Sequence, residues 1–360
     1  MTVLPLAFAF LGLAHPAPAL PPSSNCPSHK IDGFFLQWRL GPSDAKEGPP
    51  PGGTAKTFLG HKDGWLRECP GNETIWYAVV RAAELTSPDR KASADLIAAA
   101  RTAVPNSVWI ETVRARALGT VEAAEAAVRF DPSHIPAQVA LAAAYDRAGD
   151  RESALRILRP LRDLHRIAGG PLLLARVAWA LGDWQLAADS AKRETDHEGS
   201  FIEPVSSIVF VGEARLLEGE ARLKLGQADK ALTAFHEAEV WSSLDAMERL
   251  RSPTPALERA MEARLKKSHL DEEFRCRILE YLGALRLRSG DVKAGVHLLT
   301  KALFLPEYSC GFDALQSGGP EVRKVLEKLR ASPRLTARER ERIDEVLKPQ
   351  LPRPLAEPGN

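Results

Sequence analysis

Along most of the chain, apolar residues recur with the 3.6-residue beat of a helix. The run Glu73-Thr-Ile-Trp-Tyr-Ala-Val-Val-Arg-Ala-Ala-Glu-Leu85 predicts one helix, with Asn72 as its N-cap. Ser87-Pro88-Asp89 then opens a second, reaching about Ala103. Helix, short turn, helix is the unit that follows. It is clearest from Ala137 to Leu158, where Gly149 can end one helix in a left-handed conformation and Asp150 can cap the next. The same punctuation returns at Gly182-Asp183, Gly226-Gln227 and Gly290-Asp291. After each turn comes a small residue (Ala154, Ala187, Ala231, Ala294/Gly295) that lets paired helices approach.

These phased positions resemble the tetratricopeptide repeat, a helix–turn–helix unit. Gly219, Gly226, Ala231, Phe235 and Ala238 match its pattern, as do Leu282-Gly283, Gly290, Leu299 and Ala302. An earlier unit matches at Leu141, Tyr145, Gly149 and Ala154, after one that ends in Asp131-Pro132. In this register units begin near Glu73, Ser107, Ile135, Ala168, Gly212 and Cys276, at spacings of 34, 28, 33, 44 and 64 residues. The array is therefore degenerate. The Ser107 unit is short, with its turn at Gly119-Thr120, and the long last interval leaves room for an extra helix from Pro255 to Ser268.

The resemblance implies an all-α fold: a right-handed α-solenoid of antiparallel helix pairs. A small irregular or β-containing N-terminal segment is expected before it. Residues 20–72 carry that segment, whose Gly and Pro separate the short aromatic runs Phe34–Trp38, Thr57–Leu59 and Trp65-Leu66. Residues 73–310 are read as the repeats and 311–348 as capping helices, one from Gly319 to Ala331 and one opened by the capping box Thr336-x-x-Glu339. The Pro-rich tail 349–360 is expected to be disordered.

Residues 1–19 read differently. Leu6–Ala14 is a nine-residue apolar run followed by Ala17-Pro18-Ala19, the form of a secretory signal peptide cleaved after Ala19. No Lys or Arg precedes Lys30, a departure from the usual basic start. The expected location is periplasmic or secreted. The four cysteines suit an oxidising compartment, and their places along the chain favour Cys26–Cys69 and Cys276–Cys310 among the three possible pairings, with unpaired thiols as the alternative.

Composition narrows function by exclusion. With 48 Lys+Arg against 47 Asp+Glu the formal net charge is +1, so nothing points to nucleic acid as a partner. Beyond the leader no stretch approaches 18 consecutive apolar residues, so direct membrane insertion is not expected. His236-Glu237 begins like a zinc-protease helix but lacks the second histidine at the fifth position, and no C-x-x-C, Walker loop or G-x-S-x-G occurs. No metal, cofactor or catalytic set is assigned.

What remains is a binding surface, and the resemblance places it on the first helix of each pair. Carried into this numbering, the groove would present Tyr77, Arg81, Glu111, Val139, Asp146, Arg176, Trp179, Glu220, Arg277 and Glu280 to a protein partner that the sequence does not name. The leading reading is a protein-interaction scaffold or assembly factor in the cell envelope. A structural subunit of a larger envelope complex and an enzyme with its site in the N-terminal segment are the alternatives.

Overall fold

A computed structural model describes residues 59–86, 90–167, 169–196, 210–240, 243–267, 269–305 and 310–348. The apolar leader, Cys26, the Phe34–Trp38 run and the tail 349–360 lie outside the described residues. Two compact units divide the chain, residues 1–106 and 107–360, and each is taken by itself.

In the first unit, α1 (Lys62–Glu68) packs on α2 (Glu73–Thr86), which pairs with α3 (Arg90–Ala103). Asn72 caps α2 as expected, its Oδ1 accepting the Ile75 N–H at 3.1 Å. The Trp76 indole N–H donates to the Pro70 carbonyl at 2.7 Å, fixing the turn between α1 and α2. One expectation fails here: Trp65 and Leu66 sit on a helix, not on a strand or irregular loop. Asp63 in the first turn and Arg67 in the last complement the helix dipole, a local preference that the aromatic run obscured.

Among its described residues the second unit is a succession of helices with no strand. Three pairs follow each other: α4 (Val108–Leu118) with α5 (Val121–Phe130), α6 (Ile135–Arg147) with α7 (Arg151–Leu158), and α8 (Gly170–Ala180) with α9 (Trp184–Thr195). Next come α10 (Phe210–Lys224) with α11 (Ala228–Val240). The turns work as the sequence predicts. Gly149 has φ +86°, and Asp150 accepts the Ser153 N–H at 3.0 Å. At the next turn Gly182 has φ +79°, and Asp183 accepts the Leu186 N–H at 3.1 Å. Ala154, Ala187 and Ala231 are wholly buried between paired helices. First helices also touch first helices, α4 on α6, α6 on α8 and α8 on α10, so the pairs stack in chain order.

The long interval before Cys276 holds more than the one extra helix expected. Two short helices fill it, α12 (Leu244–Arg251) and α13 (Pro255–Leu265). Each packs against α11 on one side and against α14 (Glu272–Arg288) on the other, so together they take the place of one more pair. Phe235, Leu250, Met261 and Ile278 interlock there in a dry core. The 64-residue interval thus holds the α10–α11 pair and two short helices. Ser252-Pro253-Thr254 replaces the usual Gly-Asp turn between them, though Thr254 still caps α13 through the Leu257 N–H at 3.3 Å.

α14 pairs with α15 (Val292–Leu303) at very short range. A Cβ on Gly295 would lie 2.5 Å from the Leu287 Cδ2 and 3.0 Å from the Gly283 carbonyl, so only glycine fits. The end of the stack is closed by α16 (Phe312–Gln316), α17 (Gly319–Arg330) and α18 (Ala337–Leu347). α18 begins with the expected capping box of Thr336 and Glu339, while the short α16 has no sequence signal of its own. Leu299, Leu303, Val322, Leu326, Ile343 and Val346 form the core under this cap.

Candidate protein-binding surface

The resemblance assigned ten groove positions, and the structure sorts them into three groups. Tyr77, Glu111 and Val139 are a correction, because all three side chains are buried, Tyr77 to 1% exposure. For Tyr77 the reason is that the middle of α2 is buried nearly all round: Ile75 to Val80, Ala82 and Ala83 are all buried. A helix of that kind has no solvent stripe to offer. Arg81, one turn on, is half-buried.

A second group is engaged within the chain. Arg176 on α8 donates through Nε to Glu213 of α10 at 2.9 Å. Glu220 of α10 binds Arg249 of α12 in turn. These pairs run from first helix to first helix and stitch the row together. Asp146 at the end of α6 lies 3.5 Å from Arg151 across the Gly149 turn. Trp179 stands edge-on to Trp184, ring centres 4.7 Å apart, so both tryptophans mark the α8–α9 turn, half-buried. Exposed ion pairs of this sort contribute about 0–1 kcal/mol each to stability.

The third group is Arg277 and Glu280, neighbours on α14 that bind each other at 3.2 Å. They line an open cleft of about 570 Å³ with Glu273 of the same helix, Cys310, Phe312 and Asp313 of the α16 segment, and Glu345 of α18. Four carboxylates thus face one guanidinium and one aromatic ring. Cys310, one of the cleft residues, is disulfide-bonded to Cys276 of α14 with Cα atoms 5.7 Å apart, the pairing expected. Cys69 is buried and also disulfide-bonded, with its partner outside the described residues.

Behind the cleft lies a polar cluster that sequence reading missed. Glu239 of α11 accepts a hydrogen bond from the Tyr281 hydroxyl and lies 3.9 Å from the Arg277 Nε. The His236 ring stacks flat on Phe274, centroids 4.1 Å apart, with its Nδ1 3.7 Å from Glu239. Burial pushes the Glu239 carboxyl up, but the nearby His236 ring, the hydrogen bond from Tyr281 and the Arg277 charge outweigh it and hold the group below its ordinary value. Burial, then the hydrogen bond to and charge of Glu239, raises Tyr281. Arg277 is also raised: burial works against its charge, and Glu239 and Glu280 more than offset that. The cluster therefore keeps Glu239 and Arg277 ionised and orients Arg277 toward Glu280. His236 and Glu239 are four residues or fewer apart on α11, but nothing in their local sequence announces Tyr281 as a partner.

Among the described residues no group of three His, Cys, Asp or Glu side chains could hold a metal ion. None of the described helices is long and apolar enough to cross a membrane. Comparison with known proteins adds little. No protein-family profile matches the chain, and no curated protein matches it. Among solved structures, the crystal structure of the APC/C hetero-tetramer Cut9–Hcn1 superposes with a TM-score of 0.43 at 14% identity, covering 81% of this chain and 52% of that one. The chain spans about half the length of that neighbour.

Proposed function

We infer that this chain is a protein-interaction scaffold and that its cleft on α14 receives a basic segment of a partner polypeptide. The observation that carries the reading is the cleft itself. Elsewhere along the first helices the expected groove charges satisfy one another, as Arg176 does with Glu213 and Glu220 with Arg249. At Glu273, Glu280, Asp313 and Glu345 the carboxylates outnumber Arg277, the one cation among the described cleft residues, and Phe312 adds an aromatic side chain. An excess of one sign in a concave, partly apolar site selects partners of the other sign and speeds their encounter. Lys or Arg side chains with their long apolar stems fit such a lining.

The site belongs to an exported protein in this reading, which rests on the Leu6–Ala14 apolar run and the Ala17-Pro18-Ala19 exit. The partner would then be met in the cell envelope or outside the cell.

Titration of the full chain with fluorescent twelve-residue peptides of basic, neutral and acidic composition tests the proposal. Saturable binding of the basic set, weakened by salt, is the expected result. The double variant Glu280→Lys/Asp313→Lys should then lose the basic peptides by tenfold or more. Equal binding of all three sets, or a double variant that binds as the native chain does, defeats the reading.

A further inference from the structure

We propose that the Cys276–Cys310 disulfide is a redox-controlled latch, holding one wall of the cleft in place while oxidised and releasing it on reduction. The wall is built on the bond. Arg277 follows Cys276 directly and Glu273 precedes it by one turn, while Phe312 and Asp313 come two and three residues after Cys310. With Cys310 itself, five of the seven cleft residues sit beside the two half-cystines.

Besides the disulfide, the α16 segment is held by Leu315, Phe312 and Ala314, which pack against the core of the cap. Five residues are too few for a helix to persist alone. Its only fully buried apolar side chain is Leu315, lodged against Leu299 and Leu303. At Gly311, with φ +81°, an added Cβ would lie 3.0 Å from the Leu299 carbonyl oxygen, so the segment passes close to α15 there. The neighbouring helices are anchored independently, α17 through Val322 and Leu326, α18 through Ile343 and Val346. Arg342 adds hydrogen bonds to the carbonyls of Leu303 and Leu305. Loss of the disulfide should therefore loosen residues 310–317 and leave the two long cap helices in place.

Access favours one direction of attack. Both half-cystines are buried, Cys276 to 0% and Cys310 to 9% exposure, and of the two only Cys310 lines the cleft. A small dithiol enters from the cleft, and its thiolate attacks the Cys310 sulfur and displaces Cys276 as the leaving thiolate, which takes up a proton. The second thiol of the reductant then resolves the mixed disulfide, freeing Cys310 as a thiol and leaving the reductant as a cyclic disulfide. Two electrons and two protons pass from the dithiol to the protein. The Ala302 carbonyl, 3.8 Å from the Cys276 Sγ, is placed to accept a hydrogen bond from the new thiol.

Hydrogen–deuterium exchange on the full chain, with and without dithiothreitol, decides the matter. Reduction should speed exchange at least tenfold in residues 310–317, with residues 319–347 and the helices before α14 unchanged. The Cys310→Ser variant should exchange like the reduced protein and ignore the reductant. Unchanged exchange in 310–317 overturns the latch, and so does a loss of protection across the whole unit, which would mark the bond as a general staple. The basic peptides of the preceding section give a second arm, since the inference concerns the same cleft. Tenfold weaker binding after reduction supports the gate, and equal binding in both states overturns it. If exchange responds as described but no peptide binds either form, the latch stands and the basic-partner reading falls.

Discussion

The ring of Phe235 on α11 occupies the space that the Cβ of any residue but glycine would need at position 219 on α10. An ideal Cβ there would lie 2.5 Å from the Phe235 Cε1 and 2.6 Å from its Cδ1. Phe235 is fully buried, packed with Leu232, Leu250 and Met261, and its ring has nowhere to move. Gly219→Ala should therefore destabilise the unit by about 1–3 kcal/mol, the usual cost of overpacking. The denaturation midpoint measures this. Gly149→Ala, at a site with φ +86° and open space around it, is the control, with only backbone strain of ~1–2 kcal/mol to bear.

Glu194 near the end of α9 closes the start of α8. Its carboxylate accepts the backbone N–H of Gly169 at 2.9 Å and of Leu172 at 3.2 Å, and the residue is 4% exposed. The pairing of one helix's last turn with the other's first also shows that α8 and α9 run antiparallel. Glu194→Ala would strand two donors, one of them buried, and should cost about 1–3 kcal/mol in chemical denaturation. Glu194→Gln, which keeps one acceptor oxygen, should cost less. A Glu194→Ala protein as stable as the native chain would remove the cap from the account.

The Glu239 cluster predicts a pH dependence. Its carboxyl titrates below the ordinary 4.5 in the folded protein, so the stability it supplies is present above that value and is lost as pH falls through the lowered one. Glu239→Gln should lower the thermal midpoint at neutral pH, and the gap to the native protein should close under acid conditions. A gap that stays constant from pH 7 to pH 3 would show that the carboxylate charge contributes nothing. Phe274→Ala, which removes the platform under His236, should narrow the neutral-pH effect of the Glu239 change in a double-mutant cycle.

Export and the N-terminal bridge are checked together by mass spectrometry of protein recovered from an expressing cell with a secretory pathway. The chain should begin at Leu20, and a non-reducing peptide map should link Cys26 to Cys69. A chain that still begins at Met1, or a Cys26 that alkylates without reduction, would defeat these expectations.

Much of the fold could be read from single positions because its local signals are strong. A glycine at φ > 0 followed by a capping side chain, as at Gly149-Asp150 and Gly182-Asp183, needs only a few neighbours in the chain to do its work. The same holds for Asn72 and for Thr336 with Glu339, whose hydrogen bonds span three residues. Where the local signal was weak or replaced, the reading slipped. α12 was missed because Ser252-Pro253-Thr254 stands where a Gly-Asp turn was sought, and α1 because its aromatics suggested strand.

What the chain settles by itself, then, is the helix pair, since its caps, turns and small contact residues act within some thirty residues. Which side of each helix meets solvent was left to packing. Tyr77 was placed on the groove by register, yet the middle of its helix is buried nearly all round and takes it inside. Arg277 and Glu280 were named as binding residues, but the carboxylates that give their cleft its sign come from α14, α16 and α18. Glu273 and Glu345 are separated by more than seventy residues of sequence, and only the closing of the cap on the last repeat brings their charges to one place. Burial and long-range electrostatics depend on distances through space, and no spacing along the chain encodes them.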